Sequence, residues 1–312
     1  MRVILTQHQC PGDILCMTAA VRDLRLSHPE IKVNCFTSAQ ELWENNPHLD
    51  ARITPQNAHR TLRCEYPLIN TSNWGQHHFI HGFRIFLEDA LGVRIPPTVF
   101  RVDVHLSEQE KSDPYILNVV GETEPYWLVD AGYKNDFTAK AWEFARFQEV
   151  VDATAGRIRW VQIGARHDNH RRLENVIDMV GRTTHRQLLS LMYRADGVLT
   201  PVSYPMHLAT MQWHGHDDSE RRPCVVLGGG REPSVWEAYN CHQYIHCCGA
   251  MDCCRNGGCW KSRTVPLGDG DGKDKSLCEH PVETPSGQFV PKCMDDIGVD
   301  EVLRRIGIYL GR

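Results

Sequence analysis

Apolar residues in this chain fall into two patterns that alternate from the first residues almost to the last: short unbroken runs, and stretches in which they recur every three or four positions. "RVIL" is a β-type run. Pro11, Gly12 and Asp13 break it, and Ile14, Met17, Val21 and Leu24 then follow at helical spacing. "IKVNCF" alternates Ile31, Val33 and Cys35 as a strand, and Ser38 with Glu41 three residues later predicts a capping box ahead of a helix over "AQELWENN". "HHFIHGFRIFLEDALGV" reads as an amphipathic helix closed by Gly92, and a proline- and charge-rich connection follows it.

A second series starts near Tyr126. "YWLVDAG" and "RIRWVQIG" read as buried strands around a helix over "AKAWEFARFQEVVDATAG". Thr184 and Gln187 predict a capping box before "LLSLMY"; "GVLT", a helix at "PMHLATM" and the strand "CVVLGGG" continue the alternation. The closing "VDEVLRRIGIYL" sets Val299, Val302, Leu303 and Ile306 on one helical face. Two successive series predict an α/β protein of two facing, doubly wound Rossmann-like domains, with boundaries expected at residues 1–122 and 123–312. The second includes a turn-rich, cysteine-rich segment at 247–293.

Composition narrows the partners. A chain of 312 residues with 41% apolar content buries real cores, and a formal charge of −5 supplies no global attraction to nucleic acid. The opening "MRVILTQHQCPGD" holds only a short apolar run, and nothing later reaches the ~18 apolar residues of a membrane span. The expectation is a cytoplasmic protein, with peripheral membrane contact left open. Its 13 cysteines are then expected to be reduced, which favours metal ligation or simple burial over disulfides.

Candidate chemistry lies where loops follow strands, because open parallel sheets bind ligands outside the carboxyl ends of their strands. Asp13 begins the first helix there. "DAGYKNDFTAKAW" offers Gly132, Asn135, Thr138 and Lys140, a lysine and hydroxyl near a helix start that suit an anionic diphosphate. "TPVSYPMHLA" brings Ser203, Tyr204, Met206 and His207 to the next helix start, and "LGGGREPSVWEAY" places Gly229 where a ligand can approach the backbone. Each has a plainer reading: a helix-dipole aspartate, a solvated lysine loop, a structural histidine, a tight turn.

In this order the four segments resemble glycosyltransferase family 9, the ADP-heptose:lipopolysaccharide heptosyltransferases and their relatives, over nearly the whole chain. "GDILCMTAAVRDLRLSHPEIKV", "ELWENNPHL", "KNDFTAKAW", "VIDMVGRTTHRQLLSLMYRADGVLT", "PVSYPMHLA", "GGGREPSVWEAY" and "CMDDIGVDEVLRRI" carry the likeness. The resemblance implies a GT-B fold and a nucleotide-diphosphate sugar as donor, held mainly by the C-terminal half. Asp13 matches the general base, Lys140 the lysine that neutralises the donor phosphates, and Ser203 with His207 the donor segment. Where the family carries Asp-Thr-Gly before Pro-Met-His-Leu, this chain has Val202, Ser203 and Tyr204, so a carboxylate is lost and a glycine becomes bulky. Where the family often has a glutamate for the ribose, Ala165, Arg166 and His167 stand, with Arg166 suited to a phosphate.

Cys254 (or Cys253), Cys259, Cys278 and Cys293 offer four thiolates in a segment with too few apolar residues for its own core, which fits a closed structural site for zinc or iron. His246, Cys247 and Cys248 are alternative ligands. The segment is similar to the cysteine finger of protein-modifying autotransporter heptosyltransferases. The function expected is an inverting transfer of a heptose or other hexose-like sugar to an acceptor hydroxyl on a glycan such as lipopolysaccharide core. Two alternatives are transfer to a hydroxymethylated pyrimidine in DNA, for which "RIRWVQIGARHDNHRR" supplies cations, and a non-catalytic nucleotide-sugar-binding protein.

Overall fold

The computed structural model describes residues 1–66, 77–167, 169–217, 219–240 and 242–311. The first half contributes β1 (Arg2–Gln7), α1 (Pro11–Ser27), β2 (Lys32–Thr37), β3 (Arg60–Arg63), α2 (Gly82–Leu91), α3 (Glu108–Lys111) and α4 (Pro114–Val120). After these come β4 (Trp127–Val129), β5 (Gly132–Tyr133), α5 (Phe144–Ala153), β6 (Trp160–Gln162), β7 (Asn169–His170), β8 (Ile177–Asp178), α6 (His185–Arg194) and β9 (Gly197–Pro201). The remainder is α7 (Tyr204–Leu208), β10 (Cys224–Gly229), α8 (Ser234–Glu237), β11 (His242–His246), β12 (Pro281–Glu283), β13 (Phe289–Pro291), α9 (Lys292–Asp295) and α10 (Val299–Leu310).

Two parallel sheets organise these elements, one of three strands in the order β2-β1-β3 and one of six in the order β11-β10-β9-β4-β6-β8. In the larger sheet the chain runs outward from β4 through β6 to β8, then returns to the other side of β4 with β9. That reversal opens a crevice at the carboxyl ends of β4 and β9, the place where doubly wound sheets bind ligands.

Alternation along the central strands explains how this sheet is covered on both faces. Leu128, Val198 and Val226 point into the core shared with the first sheet and α1, whereas Trp127, Val129, Leu199, Val225 and Leu227 point to the opposite face. There α5 and α10 cover them with Phe147, Val150, Val302 and Ile306. Trp142 is buried in the same layer and donates its indole N–H to the Ile297 carbonyl at 2.9 Å, so its one polar atom is satisfied.

Helix ends follow local chemistry. Thr184 caps α6 with Gln187 in a reciprocal box, as its spacing predicts, and Gly92 closes α2 in the left-handed region at φ +67. The helix expected over "AQELWENN" shrinks to a 3-10 turn at Gln40–Trp43, and Ser38 does not cap it. Its hydroxyl donates to the Gln9 carbonyl at 2.5 Å instead. Asn45 at φ +60, two residues before Pro47, stops the helix there. The helix expected from Ala139 begins only at Phe144, because Thr138 and Ala139 are tied to Thr264 and Ser262 across the fold.

Gly197 faces Trp127 across the β4–β9 pair, and a Cβ there would lie 2.2 Å from the indole ring. Gly197→Ala is expected to cost about 1–3 kcal/mol in urea unfolding, the usual penalty of overpacking. An unchanged midpoint overturns this account of the pair.

Candidate functional site

Asp13 lies in the first turn of α1, where its carboxylate accepts the Cys10 backbone N–H at 2.9 Å. The cap does not exhaust its role. Loss of surrounding water raises its pKa above the ordinary 3.8, a rise only partly offset by the Tyr66 hydroxyl, the Cys10 amide and the charge of Lys140. A carboxylate poised in this way is a better proton acceptor than one in water.

Lys140 comes from the loop before α5 and reaches into the crevice at the β9 end. Its ammonium donates to the Val202 carbonyl at 3.2 Å and pairs with Glu232 at 3.0 Å. Glu232 is buried; burial pushes its carboxyl up, but Arg231 and Lys140 outweigh burial and hold it below the usual range. Glu237, at the end of α8, has no such excess of cations. Burial first, and the Glu232 charge second, push it well above the usual carboxylate range. Among the described residues, Oε2 of both Glu232 and Glu237 is buried without a hydrogen-bond partner.

His207, in α7, is buried in the same cluster. Burial and the neighbouring His78, His242 and Lys140 push its pKa well below 6.5, which leaves a neutral imidazole. Its Nδ1 lies 2.9 Å from the Tyr239 hydroxyl and 3.6 Å from the Cys16 thiol. Burial drives that thiol far up, so Cys16 is no nucleophile.

Other residues singled out in the sequence divide into two groups. Ser203 Oγ donates to Asp130 Oδ2 at 2.8 Å, and Thr200 joins the same oxygen at 3.2 Å. The other Asp130 oxygen meets His170 Nε2 at 2.9 Å. Asp130 thus brings a carboxylate to the start of α7, where Val202 does not. The sequence reading missed both Asp130 and His170; an acidic residue directly after a buried strand and before Ala-Gly is the signal that marks the first. Gly132 packs under the His170 ring, and Asn135 donates to the His167 carbonyl at 2.5 Å while accepting from Asn169 at 2.6 Å. Arg166 is exposed beside Gly181, and the Tyr204 hydroxyl is buried near Arg186 and Glu41.

Thr138, Met206 and Gly229 are occupied elsewhere. The Thr138 hydroxyl accepts the Thr264 amide at 2.9 Å, and Met206 is wholly buried in the core. The triple glycine admits protein rather than ligand. A Cβ at Gly228 would meet Tyr244 at 2.4 Å, one at Gly229 Met294 Sδ at 2.6 Å, and one at Gly230 Cys254 Sγ at 3.2 Å.

Those contacts bring the cysteine segment onto the end of β10. Cys253, Cys254, Cys259, Cys278 and Cys293 line one cavity of about 10 Å³, which admits a single water-sized particle. Burial and neighbouring thiols push Cys253 up to about 12 and raise Cys259 and Cys278, so the free thiols are protonated at neutral pH; coordination to a cation reverses this. The sulfurs are not drawn to coordination spacing. Among the described residues the one set of three or more His, Cys, Asp or Glu with ligating atoms all within 4.8 Å is His48, Asp103 and His105. The donor set suits zinc or iron in chemistry and in sharing one cavity, and holding the ion requires the sulfurs to close inward.

Because the Asp13 pKa is raised by folding, its proton stabilises the native state at low pH, and that contribution is lost as the pH rises through the folded value. Asp13→Asn is therefore expected to raise Tm at pH 7, with the gain disappearing at pH values below the ordinary 3.8. A variant less stable than the parent at pH 7 contradicts the burial of this carboxylate.

No protein-family model matches the chain, and no curated protein matches it. Solved structures do. A family 9 glycosyl transferase from Veillonella parvula superposes with a TM-score of 0.65 at 13% identity, covering 99% of this chain and 97% of its own. The E. coli ADP-heptose lipopolysaccharide heptosyltransferase II gives 0.59 at 14%, covering 99% and 98%. The dodecameric iron-containing heptosyltransferase TibC of enterotoxigenic E. coli, in complex with ADP-D-β-D-heptose, gives 0.62 at 15%, covering 99% and 75%. What is shared at such identities is architecture: the chain has the fold of the family 9 glycosyltransferases.

Proposed function

We propose that the protein is an inverting glycosyltransferase, moving a heptose or other hexose-like sugar from a nucleoside-diphosphate donor to an acceptor hydroxyl on a glycan such as lipopolysaccharide core. One observation carries the reading: Lys140, at the crevice where the strand order reverses, acts electrostatically on Asp13, a carboxylate with a raised pKa on the facing helix α1. The neighbouring structures include enzymes named for ADP-heptose, which supports this donor class.

The donor belongs to residues 123–312, with its diphosphate at Lys140 and the polar start of α7, and the acceptor approaches from residues 1–122. The acceptor oxygen attacks the anomeric carbon as Asp13 takes its proton. The bond from that carbon to the β-phosphate oxygen breaks, and the nucleoside diphosphate departs with the electron pair. Attack opposite the leaving group inverts the centre. Lys140 must exchange its contact with Glu232 for the diphosphate, or share it, while Arg231 remains paired with Glu232. Asp130 and Ser203 fix the loop at the start of α7 beside the donor. No helix among the described residues is long and apolar enough to cross a membrane.

The cysteine cavity belongs to the same proposal as a brace. Cys254, Cys259, Cys278 and Cys293, with Cys253 at hand, would hold a zinc or iron ion, which supplies folding energy to a segment short of apolar residues and takes no part in transfer.

A thermal-shift panel of nucleoside diphosphates and nucleotide sugars tests the function. One nucleotide sugar is expected to raise Tm; Lys140→Ala loses that shift, and Asp13→Asn keeps it while transfer falls by about 10²–10⁴-fold. No stabilisation by any nucleotide sugar, or full turnover in Asp13→Asn, sinks the reading. For the brace, Cys259→Ser is expected to lower the zinc or iron content measured by elemental analysis, together with Tm; metal-free parent protein of unchanged Tm contradicts it.

A further inference from the structure

We infer that His48, Asp103 and His105 form a second cation site, for a divalent transition metal such as zinc, nickel or cobalt, distinct from the cysteine cavity and independent of the transferase reading. The geometry begins with alternation. In the extended stretch Val102–His105 the two valines are buried, so Asp103 and His105 project to the same opposite side. His48 comes from the turn after the 3-10 helix at Gln40–Trp43 and meets them there. His105 Nε2 lies 3.1 Å from Asp103 Oδ2, His48 Nε2 lies 3.6 Å from that oxygen, and the three ligating atoms all fall within 4.8 Å of one another. Ligands at ~2.0–2.2 Å from a shared ion stand roughly 3.3 Å apart, so small side-chain rotations close the set.

What distinguishes this cluster from a chance meeting of polar side chains is how firmly each member is held from behind. Asn46 joins the two chain segments: its amide donates to the Asp103 carbonyl at 3.1 Å, and its oxygen accepts the His48 amide at 2.9 Å. The Asp103 amide donates to Thr18 on α1 at 2.8 Å, and the His105 carbonyl accepts from Arg186 on α6 at 2.7 Å. Arg22, itself fixed by the carbonyls of Val99 and Arg101, sits 3.7 Å from Asp103 Oδ1. That leaves Oδ2 as the oxygen turned toward the imidazoles. Outer partners of this kind orient ligands and set their affinity. All three residues are only partly buried, so water can complete the coordination shell. Two imidazoles and one carboxylate select borderline transition metals over calcium or magnesium, which prefer oxygen. A bound ion would pin the His48 turn to the 102–105 segment that α6 grips through Arg186.

Cobalt(II) titration of the chelator-treated full-length protein tests the site, because thiolate coordination gives a sulfur-to-cobalt charge-transfer band and a histidine–carboxylate site gives none. The expected result is a binding event without that band, with affinity reduced at least ~10-fold in His105→Ala and in His48→Ala while any charge-transfer signal persists. In the parent protein, bound cobalt should also shield His48 and His105 from diethyl pyrocarbonate, located by mass spectrometry, a readout that needs no variant. The site is overturned if every cobalt taken up carries the thiolate band. Uptake indifferent to both substitutions, or two histidines modified equally with and without cobalt, overturns it as well.

Discussion

At Gly12 the first turn of α1 rests against the start of α7 at contact distance, where a Cβ would lie 3.5 Å from the His207 ring and 3.7 Å from the Tyr204 backbone and a larger side chain would collide. This approach sets the rest of the cleft. It carries Asp13 from the smaller sheet to the mouth of the larger one, at the crevice created by the reversal between β4 and β9. A bulky residue at position 12 would hold the two helices apart and separate the base from the lysine. Beneath the contact, the core is continuous: Leu15 and Val21 of α1 share it with Met206 and Leu208 of α7 and with Trp236 of α8. Apolar burial thus fixes where the polar groups meet.

The polar groups at that meeting point are unequal by environment rather than by type. Asp13, Glu232 and Glu237 are all carboxylic acids within reach of one lysine. Glu232, beside Arg231 and Lys140, is held below the usual range; Glu237, next to Glu232, is pushed well above it; Asp13 is raised. One site therefore sets three groups of the same type at three different proton affinities. His207, neutral and bonded to Tyr239, adds no charge to this balance.

Much of the architecture was legible in sequence because it depends on local pattern. Strands at "RVIL", "YWLV" and "CVVLGG" and the box at Thr184 and Gln187 follow from neighbouring residues alone. Asp13, Lys140 and His207 could be singled out as candidates because each follows a strand in a collinear series of segments. What escaped depends on distant partners. Asp130 gains its meaning from His170 and Ser203, 40 and 73 residues away, and Thr138 is turned from the crevice by Thr264, 126 residues on. The triple glycine misled for the same reason: its open space is filled by Tyr244, Met294 and Cys254.

Asp130 also bears on how the wall of the crevice holds its shape. Its Oδ2 accepts from both Ser203 and Thr200 while Oδ1 meets His170, so one carboxylate at the end of β4 joins β9, the start of α7 and β7. A change in any of those three segments therefore reaches the start of α7 through a single carboxylate.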